Sequence, residues 1–266
     1  MNLPRIDNKN LHNETHIWAI DLDQWNLSCL EAVKALPETE ARKARRFRFE
    51  THRNRYIKGH FILRSLIGMY LDIGFYDDEF HANRYGKPAV KKLHEDNPIH
   101  FNISNSENIY TCAFSQNSDI GIDIEKIHDL QDMDRIIAEF FSDEEIRRFH
   151  SLPEPNRMQT FFKYWARKEA LLKAMGMGLS YPMNKVDVVT GDENSSQLIT
   201  KVGDSDISNH WTLLDMDICI GFTSALALQG EHHDLAKQVR YFQLADENMN
   251  TFKGKHNKIF QCGEGN

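Results

Sequence analysis

The hexapeptide GIDIEK, Gly121 to Lys126, alternates apolar and acidic residues. On a strand, successive side chains point to opposite faces, so Ile122 and Ile124 share one face and Asp123 and Glu125 the other. Two carboxylates side by side on one strand face repel each other. They are tolerated where both reach water or where a hard cation sits between them. Mg²⁺ takes one or two carboxylates and fills its remaining positions with water and substrate phosphates. An isolated pair of this kind is more often a solvated strand edge, so the rest of the chain has to decide.

At 266 residues the chain can bury one large core or two small ones. Its hydrophobic and charged fractions, 41% and 27%, are those of an ordinary soluble globular protein. No apolar run reaches the length of a membrane span, and the polar N-terminal stretch lacks the apolar centre of a signal peptide. Cys29, Cys112, Cys219 and Cys262 have no CxxC spacing, which suggests neither a zinc knuckle nor a disulfide framework. Together these features predict a cytoplasmic protein without membrane contact. The net charge of −7 argues against a nucleic-acid partner. Between Arg42 and Lys58, however, the basic residues Arg42, Lys43, Arg45, Arg46, Arg48, Arg53, Arg55 and Lys58 face one acid, Glu50. Such a patch on a negative protein marks a place where an anion docks, although a solvated helix face looks the same.

In chain order, residues 16–22 predict a first strand and residues 27–36 a short amphipathic helix. Pro37 breaks that helix, and a second follows from Glu38, with Phe47 and Phe49 expected in the core. Arg53 to Tyr70 reads as a long helix whose polar face carries Arg53, Lys58 and Arg64. Gly86-Lys87-Pro88 is a turn. HFNISNS, residues 100–106, reads as a polar loop ahead of a strand at 108–115. In FFSDEE, Ser142 followed by Glu145 reads as a capping box, which offers Glu145 a purely structural alternative to any chemical role. Trp165, Glu169 and Lys173 lie at i, i+4 and i+8 along one side of a helix within 161–182. Glu169 and Lys173 there make an ordinary helix ion pair or, in a functional reading, a third metal carboxylate and a phosphate-binding lysine. From Lys185 to Leu228 the pattern turns to strands (VDVVT, HWTLLDM, ICIGFTSALAL), and residues 231–244 offer one more. Residues 248–266 read as a disordered tail. Each half runs from a helix into strands. This predicts an α+β fold of two similar, pseudo-duplicated halves, 1–118 and 119–247, with an active site at their interface.

RYGKP, HFNISNS, GIDIEK, FFSDEE and WARKEALLKAMGMGLS occur in this order over residues 41–227. Together they resemble the 4′-phosphopantetheinyl transferases of the larger, monomeric type. The pairing of GIDIEK with W-x-x-K-E-A some forty residues on is far more specific than either piece. The resemblance implies transfer of phosphopantetheine from coenzyme A, with Mg²⁺, to a serine of an acyl or peptidyl carrier protein, releasing 3′,5′-ADP. It implies Asp123, Glu125 and Glu169 as metal ligands, Glu145 as general base and Lys173 on phosphate. Lys43, Arg55, Lys87, Ser104 and Asn105 fall at its cofactor-contacting positions. Two residues depart from the family pattern: Asn105 replaces a usual histidine, and Glu40 stands where a basic residue is common. A non-catalytic module that holds coenzyme A or a carrier protein is the alternative, and a polyanion binder a more distant one.

Overall fold

The computed structural model describes residues 11–90, 98–189, 197–202, 205–244 and 250–252. The first part contains β1 (Thr15–Asp21), α1 (Cys29–Ala35), α2 (Glu38–Ala44) and α3 (Glu50–Tyr70). A small hairpin of β2 (His81–Ala82) and β3 (Pro88–Ala89) follows, then β4 (His100–Ser106), β5 (Ile109–Ser115) and β6 (Ile120–Lys126). Three helices come next: α4 (Met133–Phe140), α5 (Asp143–Ser151) and α6 (Glu154–Ala174). The chain continues through β7 (Gln197–Val202), β8 (Ser205–Met216), β9 (Phe222–Gln229), α7 (Leu235–Gln238), β10 (Val239–Leu244) and β11 (Asn250–Phe252).

Two main sheets form, ordered β11-β10-β1-β5-β4 and β6-β9-β8-β7. The fold is mixed α+β. β10 runs parallel to β1 and pairs with it from Thr15↔Val239 to Ile20↔Leu244, so the C-terminal part of the chain completes the first sheet. One core lies between α3 and the first sheet, built on Ile62, Leu66, Tyr70, Phe101 and Phe114. A second joins α4, α5 and α6 to the second sheet through Phe141, Phe149, Phe161 and Leu171. A third joins the remaining faces of both sheets, where Ile122 and Ile124 of β6 meet Ile17, Ala19 and Leu226. The alternation in GIDIEK is therefore a strand with one face in an apolar core.

Helix starts follow local chemistry. Pro37 and Pro153 stand at the N-caps of α2 and α6, where a missing N–H costs nothing. Ser142 accepts from the Glu145 amide and Glu145 reaches back to Ser142, which closes the capping box of α5.

Several expectations are corrected. Arg64 is fully buried and not on a polar face: Glu40 accepts from its Nε and Nη2 at 2.9 and 2.8 Å, and the carbonyls of Tyr76 and Asp78 accept from Nη1. Phe49 is exposed. HFNISNS is a strand, paired with β5 from His100↔Ser115 to Ser106↔Ile109. Val186–Val189 forms no strand, because Glu145 takes the Val188 amide and Arg167 its carbonyl. Cys29 and Cys112 are free, whereas Cys219 is disulfide-bonded, against the expectation of an unbridged set. The tail expected from 248 and the turn at 191–196 lie outside the described residues, apart from 250–252 in β11.

Candidate active site

β4 and β6 are edge strands of different sheets and lie beside each other. An edge strand leaves every second backbone N–H unpaired, and burial makes that costly. Here side chains replace the missing strand. The Ile122 N–H donates to Asn102 Oδ1 at 3.0 Å, the Ile124 N–H to Ser104 Oγ at 3.4 Å, and the Lys126 N–H to Ser106 Oγ at 3.0 Å. The period of two in Asn102, Ser104 and Ser106 matches the period of two in β6. Asn102 and Ser106 were missed as site residues; that shared spacing was the signal that could have found them.

Ser104 Oγ also donates to Asp123 Oδ1 at 2.8 Å. Lys173 Nζ donates to Asp123 Oδ1 at 2.7 Å, to Ser104 Oγ at 3.1 Å and to the Ile122 carbonyl at 3.3 Å. Helix α6 brings Lys173 here because it lies directly on β6: a Cβ at Gly121 would stand 2.0 Å from the Ala170 carbonyl oxygen. Glu169 precedes Lys173 by one turn and forms no hydrogen bond or ion pair among the described residues.

Asp123 is 3% exposed, and its Oδ2 is buried without a partner. Burial raises its pKa, opposed by Lys173 and Ser104. Glu125 is pushed up to about 7 by burial and then by the charge of Asp123. Glu169 is raised by the same two causes. Three carboxylates that make one another harder to ionise, one with an orphaned oxygen, fit a divalent cation. Among the described residues, no three His, Cys, Asp or Glu side chains are gathered closely enough to hold one on their own.

Glu145 does not join this cluster. It has no exposed surface; Lys168 pairs with it at 2.7 Å, and the Ser142 and Val188 amides donate to its oxygens. Burial pushes its pKa up against the pull of Lys168. With both oxygens held inside the protein, Glu145 has no line to an incoming hydroxyl. Its observed place is the helix cap.

Asn105 points the other way from Ser104, into a cavity of about 280 Å³. Arg55, His52, His60 and Tyr56 of α3 line the same cavity, with Glu107 at its edge. Arg55 is held by Asp23 at 2.9 and 2.5 Å and lies 3.6 Å from Glu107. Lys43 sits over the Tyr56 ring, 5.4 Å from its centroid. Lys87 is elsewhere: it donates to the Ala174 carbonyl at the end of α6 at 2.8 Å, and Asn83 donates to the Gly176 carbonyl beside it. Burial lowers the Lys87 pKa.

Residues 119–226 match a model of the 4′-phosphopantetheinyl transferase superfamily, and residues 18–117 a model of the 4′-phosphopantetheinyl transferase N-terminal region. The 4′-phosphopantetheinyl transferase HetI of Nostoc sp. is 32% identical over 86% of this chain and 93% of its own length. The transferase gsp of Aneurinibacillus migulanus is 34% identical over 54% of this chain and 56% of its own. For the transferase Sfp of Bacillus subtilis the values are 33%, 55% and 62%. The family models and the relatives define an enzyme that transfers a phosphopantetheine group. The chain belongs to the 4′-phosphopantetheinyl transferase superfamily.

Proposed function

We propose that the chain moves the 4′-phosphopantetheine of coenzyme A onto a serine of an apo acyl or peptidyl carrier protein, with Mg²⁺ and with release of 3′,5′-ADP. The observation that carries this reading is the meeting of Asp123, Ser104 and Lys173 at the β4–β6 junction, with Glu125 and Glu169 beside them. Asp123, Glu125 and Glu169 are the residues that would hold Mg²⁺. When bound, the ion neutralises charge on the pyrophosphate and on the leaving oxygen.

The chain's own groups do the rest. Lys173 holds a pyrophosphate oxygen as charge gathers there. The serine oxygen attacks the β-phosphorus, the bond from that phosphorus to the bridging oxygen breaks, and 3′,5′-ADP leaves with the electron pair. The serine proton goes to Glu169, a half-buried carboxylate that makes no hydrogen bond among the described residues. The nucleotide end of coenzyme A lies along β4 in the cavity of Arg55, Tyr56 and Asn105, with Lys43 over the Tyr56 ring. Lys87 steadies the end of α6 rather than touching the nucleotide.

The proposal includes an architecture of two similar α+β halves, 1–118 and 119–247, related by duplication, with the site at their junction and with the second half lending β10 to the first sheet. Each half has a helix of 21 residues over an antiparallel part of its sheet. It also takes the protein as a cytoplasmic monomer without a nucleic-acid partner; among the described residues no helix is long and apolar enough to cross a membrane. Incubation with an apo carrier protein, coenzyme A and Mg²⁺ tests the reaction. Added phosphopantetheine mass on the carrier, abolished by EDTA and restored by Mg²⁺, is expected. Full transfer in EDTA would overturn the metal assignment, and no transfer at all would overturn the reading.

A further inference from the structure

We infer that Lys173 is the resident counter-cation of the metal-free site, and that an arriving metal ion displaces it from Asp123 onto the phosphates of coenzyme A. This rests on the functional reading above and deepens it, because it makes metal and coenzyme A bind cooperatively through one side chain.

An ammonium group has three N–H donors. In Lys173 all three are used, by Asp123 Oδ1, Ser104 Oγ and the Ile122 carbonyl. No donor is left for a phosphate oxygen, so Lys173 must release at least one partner to bind substrate. The partner it holds most closely is Asp123 Oδ1, on the carboxylate whose other oxygen is buried and unpaired. A divalent ion held by Asp123 would repel the ammonium, an effect that is strong where water is excluded. Ser104 keeps its bond to Asp123 throughout, so the carboxylate stays placed when the lysine leaves. Because α6 lies in backbone contact with β6 at Gly121, the exchange is a swing of the Lys173 side chain and not a movement of the helix. By linkage, the factor by which metal tightens coenzyme A is the factor by which coenzyme A tightens metal.

The test is Mn²⁺ binding without coenzyme A at a fixed pH of about 8, read from loss of the free-ion resonance signal, a pH above the ordinary carboxylate range. Lys173→Met removes the resident cation and is expected to bind Mn²⁺ more tightly than the unchanged protein. The expected gain is at least about fivefold, the low end of ordinary coupling. Equal or weaker binding by a folded Lys173→Met protein would overturn the exchange and leave the metal assignment standing. Absence of Mn²⁺ binding by the unchanged protein, with or without coenzyme A, would overturn both. If the variant does not fold, the unchanged protein decides through the ¹⁵Nζ resonance of Lys173. Movement of that resonance on adding Mg²⁺ alone supports the exchange, and a fixed resonance refutes it.

Discussion

Ser104 Oγ stands 2.8 Å from Asp123 Oδ1, and that bond crosses from the edge strand of one sheet to the edge strand of the other. The same hydroxyl receives Lys173 from α6. One small side chain thus ties three elements together at the place where charge must be managed. Asn102 and Ser106 repeat the arrangement on either side, so the junction is a ladder made partly of side chains.

That ladder is testable without reference to catalysis. Asn102→Ala leaves the buried Ile122 N–H without an acceptor, which costs about 1–3 kcal/mol. Urea unfolding is expected to show that loss, with a much smaller one for Asn105→Ala, whose side chain faces the cavity. Equal losses would mean that the junction does not depend on this bond.

Gly121→Ala inserts a Cβ 2.0 Å from the Ala170 carbonyl oxygen and 2.4 Å from the Ala174 amide. Backbone lies on both sides of the clash, so α6 has to shift and carry Lys173 with it. A lowered melting temperature together with a large fall in transfer rate is expected. Unchanged values of both would mean that helix and strand are further apart.

Glu145→Gln is expected to act on stability, because Lys168 is left buried without its counter-charge. Breaking a buried pair costs about 3–5 kcal/mol. The surviving folded protein should keep its affinity for coenzyme A and most of its kcat. A variant with normal stability and a kcat lower by about 10²-fold or more would instead return Glu145 to the role of general base.

The Glu40–Arg64 pair sets an acid limit. Burial pushes the Glu40 carboxyl up, but hydrogen bonds from His60 and Arg64 outweigh it and hold the pKa at about 2, below the ordinary glutamate value of 4.5. A depressed carboxylate adds stability that is complete above 4.5 and disappears as pH falls towards 2. Glu40→Gln should therefore lower stability at neutral pH and flatten this part of the acid-unfolding curve. An unchanged curve would contradict the pairing.

Glu125 works in the opposite sense. Its pKa of about 7 means that the folded metal-free protein holds a proton that the unfolded chain loses near 4.5. Stability contributed by that proton is lost as pH rises from 4.5 through 7. Mg²⁺ should accordingly raise the melting temperature more at pH 8 than at pH 6, a pair of values that brackets the pKa of about 7. A shift independent of pH would separate Glu125 from the metal site.

Much of the fold was legible because its signals are local. The alternation of GIDIEK fixed which face of β6 is apolar, and Ser142 with Glu145 marked the start of α5. Readings failed where a distant partner decided. Arg64 looked like a surface residue because its carboxylate, Glu40, lies 24 positions away on another helix. HFNISNS looked like a loop because its polar side chains replace backbone partners that only the second sheet supplies. No local pattern shows that Lys87 reaches the Ala174 carbonyl at the end of α6, 87 positions away. Spacing alone could not reveal that Lys173 holds Asp123, 50 positions away on β6.

The central claim is that this junction transfers phosphopantetheine, and one comparison tests it directly. An apo carrier protein is incubated with coenzyme A and Mg²⁺ and with either the unchanged protein or Asp123→Ala, the latter shown by circular dichroism to be folded. Intact-mass measurement over time should show the carrier gaining one phosphopantetheine with the unchanged protein and none with the variant. Transfer by the Asp123→Ala protein at an undiminished rate would contradict the claim.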